Sequence, residues 1–221
     1  MGLRHTVYAF RCTDLEAFKN ALRTASVKGG GSFHEDHAPQ KSEDTVWVAE
    51  GPSAISLVYP ARDNIGVFLR DLSWALEGAP YLSGRIQEGS HWDYGLSRGM
   101  ETLDQFSTFP QYWDQEDDPL TLLHKKGRPE MLSLVFGVPE ERFERYLKHW
   151  YSDWDEDTDE YRVKLEGKAY PNDRSPYRDY EQLWDFLGSL GICDPCGAQE
   201  TKRHEWELIL PEPVRPQIKT P

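Results

Sequence analysis

Cys193-Asp-Pro-Cys196 is the best metal candidate in the sequence, and His204 follows it. Two cysteines separated by two residues can present both thiolates to one zinc ion from a single turn. His204 offers a third ligand, and Cys12 a fourth if the fold carries it there. This set defines one functional reading, a metal-dependent enzyme or a zinc-stabilised module built on Cys193, Cys196 and His204. The knuckle lacks the second pair that closes a structural zinc site. The sequence therefore carries the expectation of no tightly bound metal and no cofactor.

Two further clusters invite metal chemistry and fall short of it. His34-Glu35-Asp36-His37 follows three glycines. It is not the His-Glu-x-x-His pattern, whose two imidazoles share one helical face. Asp153, Asp155, Asp157 and Asp159 alternate as the oxygen ligands of a calcium loop do. Such a loop needs glycine at its sixth position and a bidentate glutamate at its twelfth. Counting from Asp153, those positions hold Thr158 and Lys164. No nucleophile elbow, phosphate-binding loop or dinucleotide fingerprint occurs, so the reading leans away from an enzyme without catalytic residues to name.

The charge points in another direction. The chain has 38 Asp+Glu against 25 Lys+Arg, a formal net charge of −13. It also has 8 Trp and 11 Tyr, which acidic disordered chains lack, so it is expected to fold and display its acid on a finished surface. Lys125, Lys126 and Arg128 make only a short basic stretch, and no nucleic-acid partner is expected. Aromatics embedded in acid have the composition of interface anchors ringed by steering charge. One such run is Tyr112, Trp113, Asp114, Glu116, Asp117 and Asp118; a second is Asp153, Trp154, Asp155 and Asp157. These ten residues are the expected partner-binding set. The reading they support is a non-enzymatic protein-binding module that inhibits or regulates a basic protein, of the general kind of immunity proteins and antitoxin-like inhibitors. A structural or assembly component is the third alternative.

Three cysteines do not make a disulfide framework. The first residues hold no apolar signal core, and no apolar run reaches the ~20 residues of a membrane span. A cytoplasmic protein with no membrane partner is the expectation.

The elements that must position these groups read as α+β. His5 to Arg11 is a strand, Thr13-Asp14 a cap, and Leu15, Phe18 and Leu22 the apolar face of the helix that follows. Thr45 to Ala49 and Ala54 to Tyr59 are strands around Gly51-Pro52, and Asn64 to Leu76 is a helix with Val67, Phe68, Leu72 and Leu76 inward. Tyr81 to Gln87, His91 to Ser97 and Thr102 to Phe106 form a meander, with Trp92, Tyr94 and Leu96 on one face. Met131 to Phe136 reads as a strand and Pro139 as a helix start. Tyr180 to Leu190 is a helix stopped by Gly191, and His204 to Leu210 a last strand.

The spacing of Glu16, Phe18 and Leu22 recurs in Glu141, Phe143 and Leu147, which suggests a duplicated strand–cap–helix unit with all four apolar residues buried on helices. The expected class is a mainly antiparallel sheet with helices on one face. A ferredoxin-like βαββαβ order is expected in the first half and a smaller α/β part in the second. The expected division is 1–118, then a strand-helix-helix-strand part at 127–210, then a frayed tail at 211–221. The stretch from His91-Trp-Asp-Tyr to Trp113 resembles stretches of bacterial proteins that carry no assigned activity, so the resemblance implies no residue role.

Overall fold

Asp14 begins the first helix. In the computed structural model, which describes residues 5–35, 42–59, 65–110, 123–150, 167–196 and 202–210, its Oδ1 accepts from the backbone N–H of Glu16 at 3.0 Å and of Ala17 at 3.1 Å. Two of the amides left unpaired at a helix start are thereby satisfied. The helix, α1 (Leu15–Lys28), turns Phe18, Ala21, Leu22 and Ala25 to one side at helical spacing and buries them.

Strands β1 (His5–Phe10), β2 (Ser32–His34), β3 (Thr45–Glu50), β4 (Ile55–Val58), β5 (Tyr81–Gln87), β6 (His91–Arg98), β7 (Glu101–Ser107) and β8 (Arg203–Ile209) form one sheet. Their order is β2-β8-β3-β4-β1-β5-β6-β7, and every neighbouring pair is antiparallel. The other α-helices among the described residues are α2 (Ile65–Ala75), α3 (Pro129–Phe136) and α4 (Gln182–Ser189). The protein is thus mixed α+β on an antiparallel sheet.

β3, β4, β1 and β5 are consecutive in the sheet, while β8 and β2 extend it beyond β3 and β6 and β7 extend it beyond β5. The order of the four inner strands is compatible with the expected split arrangement, and the ferredoxin-like label remains an expectation. Gly31 lets β2 approach β8, because a Cβ there would collide with the carbonyl oxygen of Ile209.

Both faces of the sheet are apolar, so both need cover. Phe10, Val46, Val48, Ile55, Leu57, Trp206 and Leu208 face α1 and α2, meeting Phe18, Leu22, Phe68, Leu69 and Leu72. Val7, Ala9, Leu82, Ile86, Trp92, Tyr94, Leu96 and Phe106 face the other way, against Leu132 and Phe136 of α3 and Leu183, Phe186 and Leu187 of α4. Helices therefore lie on both faces and not on one. The physical reason is visible in β4, where four successive residues, Ile55 to Val58, are all buried. Phe186 stacks on Trp92 at 5.1 Å and on Tyr94 at 5.5 Å.

Three local expectations are corrected. Residues 131–136 lie in α3, not in a strand. Leu132, Val135 and Phe136 are buried while Leu134 is 72% exposed, which is helical rather than alternating periodicity. Pro129 sits at the first turn, and Gly137 closes the helix at φ 70°. The strand–cap–helix phrase is therefore not repeated. Phe143 is buried, but it lies between 3-10 turns at Glu140–Arg142 and Glu144–Tyr146, and Leu147 is only half-buried. In α2, Leu69 is buried where Val67 was expected, and Val67 is exposed.

Candidate functional site

The expected partner-binding residues, Tyr112, Trp113, Asp114, Glu116, Asp117, Asp118, Asp153, Trp154, Asp155 and Asp157, lie outside the described residues. So do Asp36, His37 and the remainder of the alternating aspartates. Glu35, the described acid of the first cluster, pairs with Lys19 at 2.9 Å and with Arg23. Those cations hold its carboxyl below the ordinary range, Lys19 most strongly, so Glu35 acts as a tie to α1.

The sheet separates the residues of the expected zinc set. His204 of β8 shares a face with Trp206, on which its ring stacks at 5.1 Å, and its Nε2 meets Glu50 Oε1 at 3.1 Å. Trp206 belongs to the core beneath α1 and α2, and Cys12 packs against that same core. The cysteine loop lies on the opposite face. After α4, Gly191 turns the chain at φ 72°, and Ile192 N–H donates to Leu187 O at 3.0 Å. Ser53 N–H then holds Gly191 O at 3.3 Å, and Ser56 Oγ holds Cys193 O. Ser56 is paired with Ala9, whose side chain faces α3 and α4.

The loop brings Asp194 and Cys196 to His5 at the start of β1. One ligand atom from each of the three lies within 4.8 Å of the others. Burial pushes the His5 pKa down, opposed by the Asp194 charge, and pushes the Cys196 thiol up, reinforced by Asp194.

A second polar group occupies the α1/α2 face of β5, β6 and β7. Arg85, Gln87, His91, Asp93 and Ser107 share this face by register and line a depression of about 200 Å³. Asp93 is buried, with one oxygen 2.5 Å from Arg85 Nε and the other accepting from Gln87 Nε2 at 3.0 Å. With both oxygens engaged, it is not poised as a base. His91 Nδ1 lies 2.9 Å from Ser90 Oγ, but that hydroxyl donates to Gln87 O at 2.9 Å. The serine proton is thus held by the turn, not by the imidazole, and the pair does not make a nucleophile.

A wider depression of about 530 Å³ is lined by His124, Lys126 and Arg128 together with Asp104 and Glu130. Its signs are mixed, and Arg128 is tied to Asp104 through Nε at 3.4 Å. Lys125 Nζ donates to Pro110 O at 3.1 Å.

The largest exposed aromatic among the described residues is Trp74 on α2, 58% exposed. A Cβ on Gly99 would lie 2.9 Å from its Cζ2, and one on Gly78 would lie 3.6 Å from its Cζ3. The indole therefore lies against the turn at Gly99 while much of it faces solvent. Met100, next in sequence to Gly99, is 76% exposed, and Glu77 and Glu101 nearby are exposed acids. The sequence carried the signal for this site. Trp74 falls two residues after the buried Leu72, off the apolar stripe of an amphipathic helix.

No helix among the described residues is long and apolar enough to cross a membrane. No protein-family model matches the chain, and no curated protein or solved structure is significantly similar to it.

Proposed function

We propose that this chain is a non-enzymatic acidic module that binds a basic protein partner and inhibits or regulates it, in the manner of immunity proteins and antitoxin-like inhibitors. The observation that carries the reading is Trp74, an indole that lies against the turn at Gly99 and is 58% exposed. Binding energy concentrates in rigid aromatics that lose little entropy on docking, and Trp and Met are enriched in such surfaces. A net charge of −13 favours a basic partner, because complementary fields speed encounter. Trp74 and Met100 are the described anchor; Trp113 and Trp154, within their acidic runs, are the further ones. Asp114, Glu116, Asp117 and Asp118, with Asp153, Asp155 and Asp157, are the steering charges, adjacent in sequence to Trp113 and Trp154.

The test begins with capture of partners on the immobilised full chain at low salt, followed by measurement of dissociation from the captured protein. The captured protein is expected to be basic. Trp74→Ala is expected to raise the dissociation rate by roughly 30-fold, equivalent to ~2 kcal/mol for an anchor residue. Its urea midpoint should stay near that of the wild type, since the ring is largely exposed. An unchanged dissociation rate in a folded Trp74→Ala chain, or no basic protein retained, contradicts the proposal.

A further inference from the structure

We propose that His5, Asp194 and Cys196 form a binding site for a zinc-type divalent cation that joins the start of β1 to the loop following α4. The donor set identifies the class of ion. An imidazole nitrogen, a carboxylate oxygen and a sulfur are the three ligand types zinc accepts, whereas calcium and magnesium select oxygen. The three atoms lie within 4.8 Å of one another, so a small movement brings them to a common centre.

The surroundings are arranged to hold these ligands. The His5 ring meets Trp184 edge-on at 5.1 Å and 79°, which fixes its plane. Its Nε2 is buried and has no hydrogen-bond partner. A buried nitrogen of that kind is costly unless something occupies it, and a cation satisfies it. Asp194 Oδ1 accepts from Cys196 N–H at 2.9 Å, which fixes the carboxylate and the cysteine in one turn. Cysteine binds zinc as the thiolate, a form that a bound divalent charge favours. Three protein ligands leave a fourth position for water at the exposed Cys196 edge.

The sequence pointed to Cys193 and His204 as companions of Cys196. The fold substitutes Asp194 and the distant His5, because His204 lies across the sheet. Binding would join residues far apart in the chain and stabilise the folded state in proportion to occupancy.

The experiment is titration of the tag-free, metal-stripped full chain with Co²⁺, read by absorption, followed by displacement with Zn²⁺. A sulfur-to-cobalt charge-transfer band saturating at one ion per chain is expected. Cys196→Ser should abolish the band, and His5→Gln and Asp194→Asn should weaken binding at least about tenfold. Cys193→Ser and His204→Gln should leave both band and affinity unchanged. Zn²⁺ should raise the melting temperature of wild type and Cys193→Ser, but not of Cys196→Ser. Cys196 is exposed, so its serine variant should fold, as circular dichroism can verify; if His5→Gln does not fold, the two cysteine variants decide the outcome. A missing band, a band surviving in Cys196→Ser, or a band lost equally in Cys193→Ser overturns the site.

Discussion

The indole of Trp74 covers Gly99 so closely that a Cβ on the glycine would lie 2.9 Å from Cζ2 and 3.1 Å from Nε1. Gly99 is also left-handed, at φ 58°, in the turn between β6 and β7. Two costs therefore fall on Gly99→Ala. The left-handed backbone contributes about 1–2 kcal/mol, and displacement of the ring adds to it. In a Trp74→Ala background only the backbone cost should remain. Urea unfolding of the two single variants and the double variant separates the terms; equal costs for Gly99→Ala in both backgrounds would show that the ring does not rest on the turn.

Asp104 anchors the other side of the sheet. It is buried and accepts from Tyr94 Oη at 2.7 Å and from Arg128 N–H at 2.9 Å. Asp104→Ala orphans the Tyr94 hydroxyl and the Arg128 amide, while the Arg128 guanidinium keeps its bond to Leu103 O. It is expected to cost roughly 2–4 kcal/mol, whereas Tyr94→Phe, which removes one neutral donor, should cost about 1 kcal/mol. Chemical denaturation of both variants checks the order, and a larger loss for Tyr94→Phe would contradict it.

Acid should weaken the fold before its carboxylates titrate. Burial lowers the pKa values of His91 and His149 below the ordinary histidine range. Between the lowered folded value and the unfolded one, the unfolded chain binds more protons. Stability is therefore full above the unfolded value and declines as pH falls through it toward the folded values. Lys19 and Arg70 hold Glu35 and Asp71 below the ordinary carboxylate range, so their stabilisation is lost only further down. The melting temperature should drop between pH 7.5 and pH 5.5 (the span around the ordinary histidine value), and His149→Gln should shallow the drop. A profile unaltered by that substitution would exclude His149 as a contributor.

Much of the first half was legible because local and tertiary signals agreed. Asp14 reads as a cap and is one, Phe18 and Leu22 read as a buried stripe, and Trp92, Tyr94 and Leu96 alternate into the core. Met131 to Phe136 reads as a strand because a short apolar run does not reveal its period by composition alone. Pro129 and Gly137 at its ends were the better evidence. β2 is not legible in the sequence because three residues beside β8 carry too little pattern. The cluster at Cys196 was half legible. The cysteine turn is local, but His5 reaches it only through the packing of α4 and its loop across β1, which no spacing encodes. Trp74 lies off the buried stripe of α2, and periodicity marks such a position only as surface.

The most direct test of the account is the association rate of the captured basic protein at graded salt, with the wild-type chain and with Asp117→Asn combined with Asp118→Asn. Exposed rim charges act through steering over a screening length of about 8 Å at physiological salt. The wild-type rate should fall steeply with salt, and the double substitution should slow association more than it speeds dissociation. A rate insensitive to salt and unchanged by the substitution would show that the acidic surface serves solubility alone, and would contradict the binding function proposed for this chain.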